Sequence, residues 1–260
     1  MPLKTILLAG TLAIGVAAPA LAESITVGVT PGEHAEIMEK VKDVAAKEGL
    51  DIEVIEFSDY VVPNQALADG ELNANSFQHQ PYLDAQVADR GFDIVSVAPT
   101  INTPMGVYSQ KVKSLDELQD GATVAIPNDP TNGGRALLLL QDAGLITLNA
   151  DAGLKATPLD ITENPKNVEI VELDAAQLPR SLPDVDAAAI NTNYALEAGL
   201  DPKNDSIARE SAKSPYVNVI AVRSEDKDAE WLKKLIAAYH DQSIRDFIDT
   251  EYKGAVIASW

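Results

Sequence analysis

The stretch from Ser24 to Asp59 most narrows what this chain can fold into. "SITVGVT" (24–30) alternates apolar and polar residues as a strand does, and Pro31 and Gly32 break it. In the following "HAEIMEKVKDVAAKEG", Ile37, Val41, Val44 and Ala45 recur at helical spacing, and Gly49 ends the run. "LDIEVIEFSD" (50–59) reads as a second strand. A strand, a helix and a strand in this order predict a parallel pair with a helical crossover, hence an α/β sheet.

The pattern continues. A helix is expected over "PNQALADGE", another within "ANSFQHQPYLDAQVADRG" that closes at Gly91, and then the strand "FDIVSVAP". From "INTPMGVYSQKVKSLDELQDG" it restarts, with a strand, a short acidic helix around Leu115 to Leu118 and the strand "ATVAIP". A helix bearing Arg135 follows, then "VEIVELD", a helix around "AAQLPRSL", the strand "VDAAAIN" and the helix "TNYALEAG". One more strand, in "SPYVNVIAVR", precedes helices with Trp231, Leu235, Ile236, Tyr239 and Ile244 on apolar faces. Two α/β units in series, with terminal helices left to return to the first, predict two α/β lobes with a cleft between them. A chain of 260 residues, 46% hydrophobic, is long enough for two cores. The expected division is 23–104 plus 223–260 for lobe 1 and 105–222 for lobe 2, with "TPMGVYS" and "SPYVNVIAVR" crossing between them.

Residues 1–22, "MPLKTILLAGTLAIGVAAPALA", combine an early Lys, an apolar run and a small-x-small ending. They read as a secretory signal peptide with cleavage expected after Ala22, so the mature protein is expected to be soluble and exported. The chain has no cysteine, so the fold is expected to hold by core packing alone, and a lipid anchor on a new N-terminal Cys is not expected. Removing residues 1–22 takes away one Lys and no acid, so the net charge of −20 becomes −21. That balance argues against nucleic acid or an anionic membrane surface as partner.

"AIPNDPTNGGRALLLLQDAGLI" (125–146) reads as a strand end, a turn and an apolar helix that stops at Gly144. Asp129 and Pro130 suit the N-cap and first position of that helix. Arg135 adds positive charge near a terminus whose N–H groups are already partly positive, which is unfavourable unless an anion lies between them. Gly133 and Gly134 are expected to let such a ligand approach the backbone. The competing reading pairs Arg135 with one of the chain's many acidic side chains.

Five stretches together resemble one family: "DYVVPNQALADGELNANSFQHQPYL", "MGVYSQKVKSLDELQDGATVAIPNDPTNGGRALLLLQDAGLI", "DITENPKNVEIVELDAAQLPRSL", "AAINTNYALEAGL" and "SPYVNVIAVR". In order and spacing they are similar to the NlpA or MetQ-type periplasmic substrate-binding proteins, which deliver methionine to an ABC importer. The resemblance implies a bilobal periplasmic binding protein fold, type II-like, closing on a free amino acid without a cofactor or metal. It implies L-methionine foremost as ligand and a membrane permease as partner. It further implies a ligand side chain lying among Tyr60, Phe77, His79 and Tyr82, with carboxylate and amino ends held by Arg135, Asn191 and Asn218. Where relatives carry a lipidated Cys this chain has "ALAES", so a freely diffusing periplasmic protein is expected.

The residues themselves leave other roles open. Asn191 and Asn193 follow "VDAAAI" where a strand end meets a helix start, the usual ligand position in open α/β sheets, but either can simply cap the helix. Asn191 is favoured for the ligand and Asn193 for the cap. Asn218 is a lone amide in the strand pattern "YVNVIAV", and His34 and His240 look like solvated helix positions. Truncating Arg135 is expected to lose most affinity and leave the fold intact. Rival readings are a receptor for another small amino acid or a methionine-containing dipeptide, an exported carboxylate-based hydrolase, and an adhesion protein. No G-x-S-x-G or H-E-x-x-H motif supports an enzyme.

Overall fold

A computed structural model describes residues 23–260; the predicted signal peptide lies outside the described residues. Strand β1 (Glu23–Val29), helix α1 (Glu33–Ala45) and strand β2 (Leu50–Glu56) form the expected unit, with β1 and β2 parallel and Ile25 opposite Ile52. Gly49 turns the chain at φ 72°, in the left-handed region that a residue with a Cβ enters only at a cost. Next come α2 (Val62–Ala68), β3 (Ala74–His79), α3 (Gln80–Arg90) and β4 (Ile94–Asn102).

The chain then enters a second sheet through β5 (Gly106–Tyr108), β6 (Thr123–Pro127) and α4 (Pro130–Asp142). A small hairpin, β7 (Thr147–Leu148) with β8 (Ile161–Glu163), precedes β9 (Glu169–Leu173), α5 (Leu178–Ser181), β10 (Ala187–Ile190), α6 (Thr192–Glu197) and β11 (Ser206–Arg209). Strand β12 (Val217–Arg223), helices α7 (Glu230–Tyr239) and α8 (Gln242–Tyr252) and strand β13 (Ile257–Ala258) complete the fold. The acidic helix expected near Leu115 is a single 3-10 turn, Leu115–Glu117.

The first sheet runs β13-β4-β12-β3-β1-β2 and the second β11-β5-β10-β6-β9. Each has its own apolar layers. Ile37, Val41, Leu235 and Ile248 pack with Val27 and Val222 on one face of the first sheet, and Leu67, Leu83 and Ala221 form a second cluster. In the second sheet Leu137 and Leu140 cover Val124, while Leu178 and Tyr194 cover Ala188. Two α/β lobes follow from this sheet membership.

One expected boundary needs correction. Val217–Val222, assigned from sequence to lobe 2, lies in the first sheet, antiparallel between β3 and β4. The alternating pattern of 217–223 defines a strand without saying which sheet takes it. The connections between sheets are therefore 103–105 and 210–216, and they hold each other: Glu210 donates its N–H to the Met105 carbonyl at 3.0 Å, and the Met105 N–H bonds Glu210 Oε2 at 2.9 Å.

Candidate functional site

The two lobes meet around one narrow cavity, about 310 Å³ of empty space with its open mouth included. Tyr60, Phe77, His79, Tyr82, Arg135, Asn191 and Asn218, the seven residues expected from sequence, all line it. His34, Gln78, Thr103, Asn132 and Asn193 line it as well.

The aromatic wall comes from lobe 1. Phe77 and His79 end β3, and His79 caps α3, its Nδ1 accepting the Tyr82 N–H at 3.1 Å. The cap brings Tyr82 edge-on to both Phe77 and His79, with ring centroids 6.2 and 6.1 Å apart. Tyr60 stands 6.1 Å from Phe77 and is fixed by the Tyr82 hydroxyl, which donates to the Tyr60 carbonyl at 2.8 Å. Burial, with the nearby Arg135 charge, pushes His79 down to about 3, so its ring is neutral at pH 7.

Arg135 is 1% exposed. Its Nε and Nη2 donate to the two carboxylate oxygens of Glu210 at 2.8 and 2.5 Å, and Nη2 also donates to the Thr103 carbonyl at 2.8 Å. The guanidinium lies 4.4 Å from the centroid of the Tyr216 ring. Three of its five N–H groups are thereby used, and the two on Nη1 have no protein partner among the described residues. The like-charge problem at the start of α4 is thus answered first by Glu210, 75 residues away. Both inter-lobe connections anchor the guanidinium.

Asp129 is the N-cap of α4, accepting the Asn132 N–H at 2.9 Å, with Pro130 at the first position. Gly133 and Gly134 do not open the backbone to a ligand. A Cβ on Gly133 would stand 2.8 Å from the Pro127 carbonyl oxygen, and one on Gly134 2.5 Å from that of Leu154, so these glycines let α4 pack closely.

The amides divide by polarity. Asn191 opens α6 but makes no side-chain cap; its Nδ2 donates to Asn132 Oδ1 at 2.9 Å, which leaves Oδ1 buried without a partner. Asn218, which also lines the cavity, donates Nδ2–H to the Ile101 carbonyl at 3.2 Å, so its Oδ1 remains an acceptor with no protein partner among the described residues. Asn193 faces the other way: its Oδ1 accepts the Tyr60 hydroxyl at 2.6 Å, and its buried Nδ2 has no partner. Gln78 is spent on Asn64 and Asn75. Among the described residues no carboxylate lines the cavity. It offers donors at Arg135 Nη1 and Asn193 Nδ2, acceptors at Asn191 and Asn218, and an aromatic wall.

His34 is 4% exposed and not the solvated position expected, because α1 starts at the cavity end of β1. Neighbouring Glu33 is buried with neither carboxylate oxygen hydrogen-bonded. Desolvation pushes Glu33 up to about 8 and His34 down to about 4. His240 lies away from the cavity, its Nε2–H donating to the Pro99 carbonyl at 2.8 Å and its ring stacked on Trp260.

Comparison with known proteins gives a consistent picture. The family described as NlpA lipoprotein matches residues 25–260. The D-methionine-binding lipoprotein MetQ of Salmonella typhimurium is 51% identical over 239 residues, covering 91% of this chain and 88% of that protein. A nutrient-binding protein from Burkholderia cenocepacia, solved bound to methionine, superposes with a TM-score of 0.89 at 57% identity, covering 91% of this chain and all of that one. A periplasmic substrate-binding protein of an ABC transporter from Coxiella burnetii gives 0.87 at 49% identity, covering 90% and 100%.

Proposed function

This chain belongs to the NlpA lipoprotein family and has the bilobal binding-protein fold, and from that premise we propose that it is the methionine receptor of an ABC importer. It is a binding protein, not an enzyme. The observation that carries the proposal is the cavity's polarity. Donors from Arg135 and Asn193 suit a carboxylate, acceptors from Asn191 and Asn218 suit an ammonium, and the Tyr60, Phe77, His79 and Tyr82 wall suits a polarizable thioether.

Micromolar affinity corresponds to about 8 kcal/mol, whereas one charge-assisted hydrogen bond contributes roughly 1.5–3 kcal/mol. All three features must therefore act together, and they do so only when the lobes close on the ligand. The closed form then docks on a membrane permease, which receives the ligand. The site is neutral overall once Glu210 has met Arg135, as a zwitterion requires.

The relatives' names specify D-methionine and call the proteins lipoproteins. The resemblance drawn from sequence favours the L form and a freely diffusing protein, and no cysteine is present in the 260 residues to carry a thioether lipid. Calorimetric titration of ligand-stripped protein with L-methionine, D-methionine, Gly-Met and a panel of other amino acids tests the ligand. Saturable binding of a methionine enantiomer is expected. Silence with both, beside heat from another ligand, would overturn the methionine assignment and keep the receptor.

A further inference from the structure

The amine end of the cavity depends on which way Asn191 points, and Asn191 cannot set that by itself. A side-chain amide turned by 180° exchanges its donor and acceptor while filling the same space. In the turned state Asn191 would offer N–H groups to a ligand ammonium and repel it.

The hydrogen bonds behind Asn191 decide the matter, because groups of fixed polarity stand at both ends. Asp129 is acceptor-only: its Oδ1 caps the Asn132 N–H, and its Oδ2 takes the Asn132 Nδ2–H at 2.9 Å. Asn132 must therefore present Oδ1 to the cavity side. At the other end the Tyr82 backbone N–H is donor-only and occupies His79 Nδ1. The neutral His79 ring then carries its proton on Nε2, which lies 3.2 Å from Asn132 Oδ1 and donates to it. With Asn132 Oδ1 accepting from His79, Asn191 can approach the same oxygen only with Nδ2, and its Oδ1 is left buried, unpartnered and available to the ligand.

We propose that Asn132 is a positioning residue: held by Asp129, it fixes Asn191 as an acceptor and so makes the site select a ligand that carries an amine. This rests on the amino-acid reading above and goes beyond it, since Asn132 acts through Asn191 and also joins the lobes through His79. Nothing in the local sequence distinguishes it from an ordinary helix-start Asn.

The test measures Kd for methionine, using the tighter enantiomer, and for its 2-hydroxy analogue, in wild type, Asn132→Ala, Asn191→Ala and the double variant. Loss of a hydrogen bond to a charged group predicts that Asn132→Ala weakens methionine about 10- to 100-fold. The hydroxy analogue should weaken far less, and the double variant should be no worse than Asn191→Ala alone. Equal weakening of both ligands, or penalties that multiply in the double variant, would overturn the proposal. If Asn132→Ala does not fold, Asp129→Ser replaces it, keeping a capping oxygen while removing the Oδ2 anchor; unchanged discrimination there would equally overturn it. Wild type that binds methionine without preferring it to the hydroxy analogue refutes this assignment alone. Wild type that binds neither refutes the amino-acid reading and this assignment with it.

Discussion

Arg135 has two tasks, and its geometry separates them. Nε and Nη2 hold Glu210 and the Thr103 carbonyl, while Nη1, without a protein partner among the described residues, is the group proposed to meet the ligand. Truncation to Ala would therefore do more than remove an anion contact. It would leave the Glu210 carboxylate, whose side chain is 9% exposed, without its cation, and breaking a buried pair from one side costs about 3–5 kcal/mol. Arg135→Ala is thus expected to lower the unfolding free energy by about that amount and to abolish binding, against the sequence expectation of an intact fold. Denaturant titration beside calorimetry checks both, and unchanged stability would show that Glu210 finds water. Arg135 itself was legible, because a cation at a helix start demands an anion. Glu210 was not, because its partnership depends on how two distant connections meet.

At the scale of the element, the starts of α1 and α3 together control how stability depends on pH. Glu33 is held above its unfolded value of 4.5, at about 8, so the folded protein binds one more proton than the unfolded chain between those limits. His34 and His79 are held below 6.5, at about 4 and about 3, so the folded protein lacks two protons that the unfolded chain would bind below pH 6.5. From pH 4.5 to 6.5 Glu33 and His34 offset each other and His79 makes stability rise with pH; above 6.5 Glu33 alone reverses the sign until about 8. Ligand-free protein should be most stable near pH 6.5, and Glu33→Gln should remove the loss on the alkaline side. Thermal melts across this range test it, and an unchanged alkaline slope in the variant would clear Glu33.

Helix α4 makes a second prediction at this scale. Gly134→Ala would place a Cβ 2.5 Å from the Leu154 carbonyl oxygen and 2.9 Å from the Ala156 nitrogen, both backbone atoms that cannot swing aside. Overpacking of this kind costs typically about 1–3 kcal/mol, readable as a shift in denaturation midpoint. The sequence marked where such elements begin and end, through Gly49, Gly91 and the Asp129-Pro130 pair, because those signals are local. What the glycines of α4 face was hidden, since Leu154 lies in a turn that sequence spacing does not bring to the helix.

For the whole molecule, the two lobes were legible in the restart of the α/β pattern, and the sheet that takes β12 was not, because sheet choice is made by neighbours far along the chain. The lobes touch through side chains that also shape the cavity: Tyr60 bonds Asn193, and His79 bonds Asn132. In the proposed mechanism closure and binding are therefore one event. Tyr60→Phe separates them, since it keeps the ring at the aromatic wall and deletes only the hydroxyl that crosses the seam. Losing one neutral hydrogen bond, roughly 0.5–1.5 kcal/mol, should raise Kd about 2- to 10-fold by making closure less favourable. Because the lost bond lies away from the amine end, and both ligands carry the same carboxylate, methionine and its hydroxy analogue should weaken by the same factor, unlike the unequal loss predicted for Asn132. Small-angle scattering should show the same compaction at saturating ligand, reached at higher concentration. A change in the ratio between the two ligands would mean that the Tyr60 hydroxyl also acts at the amine end, and would overturn its assignment to closure alone.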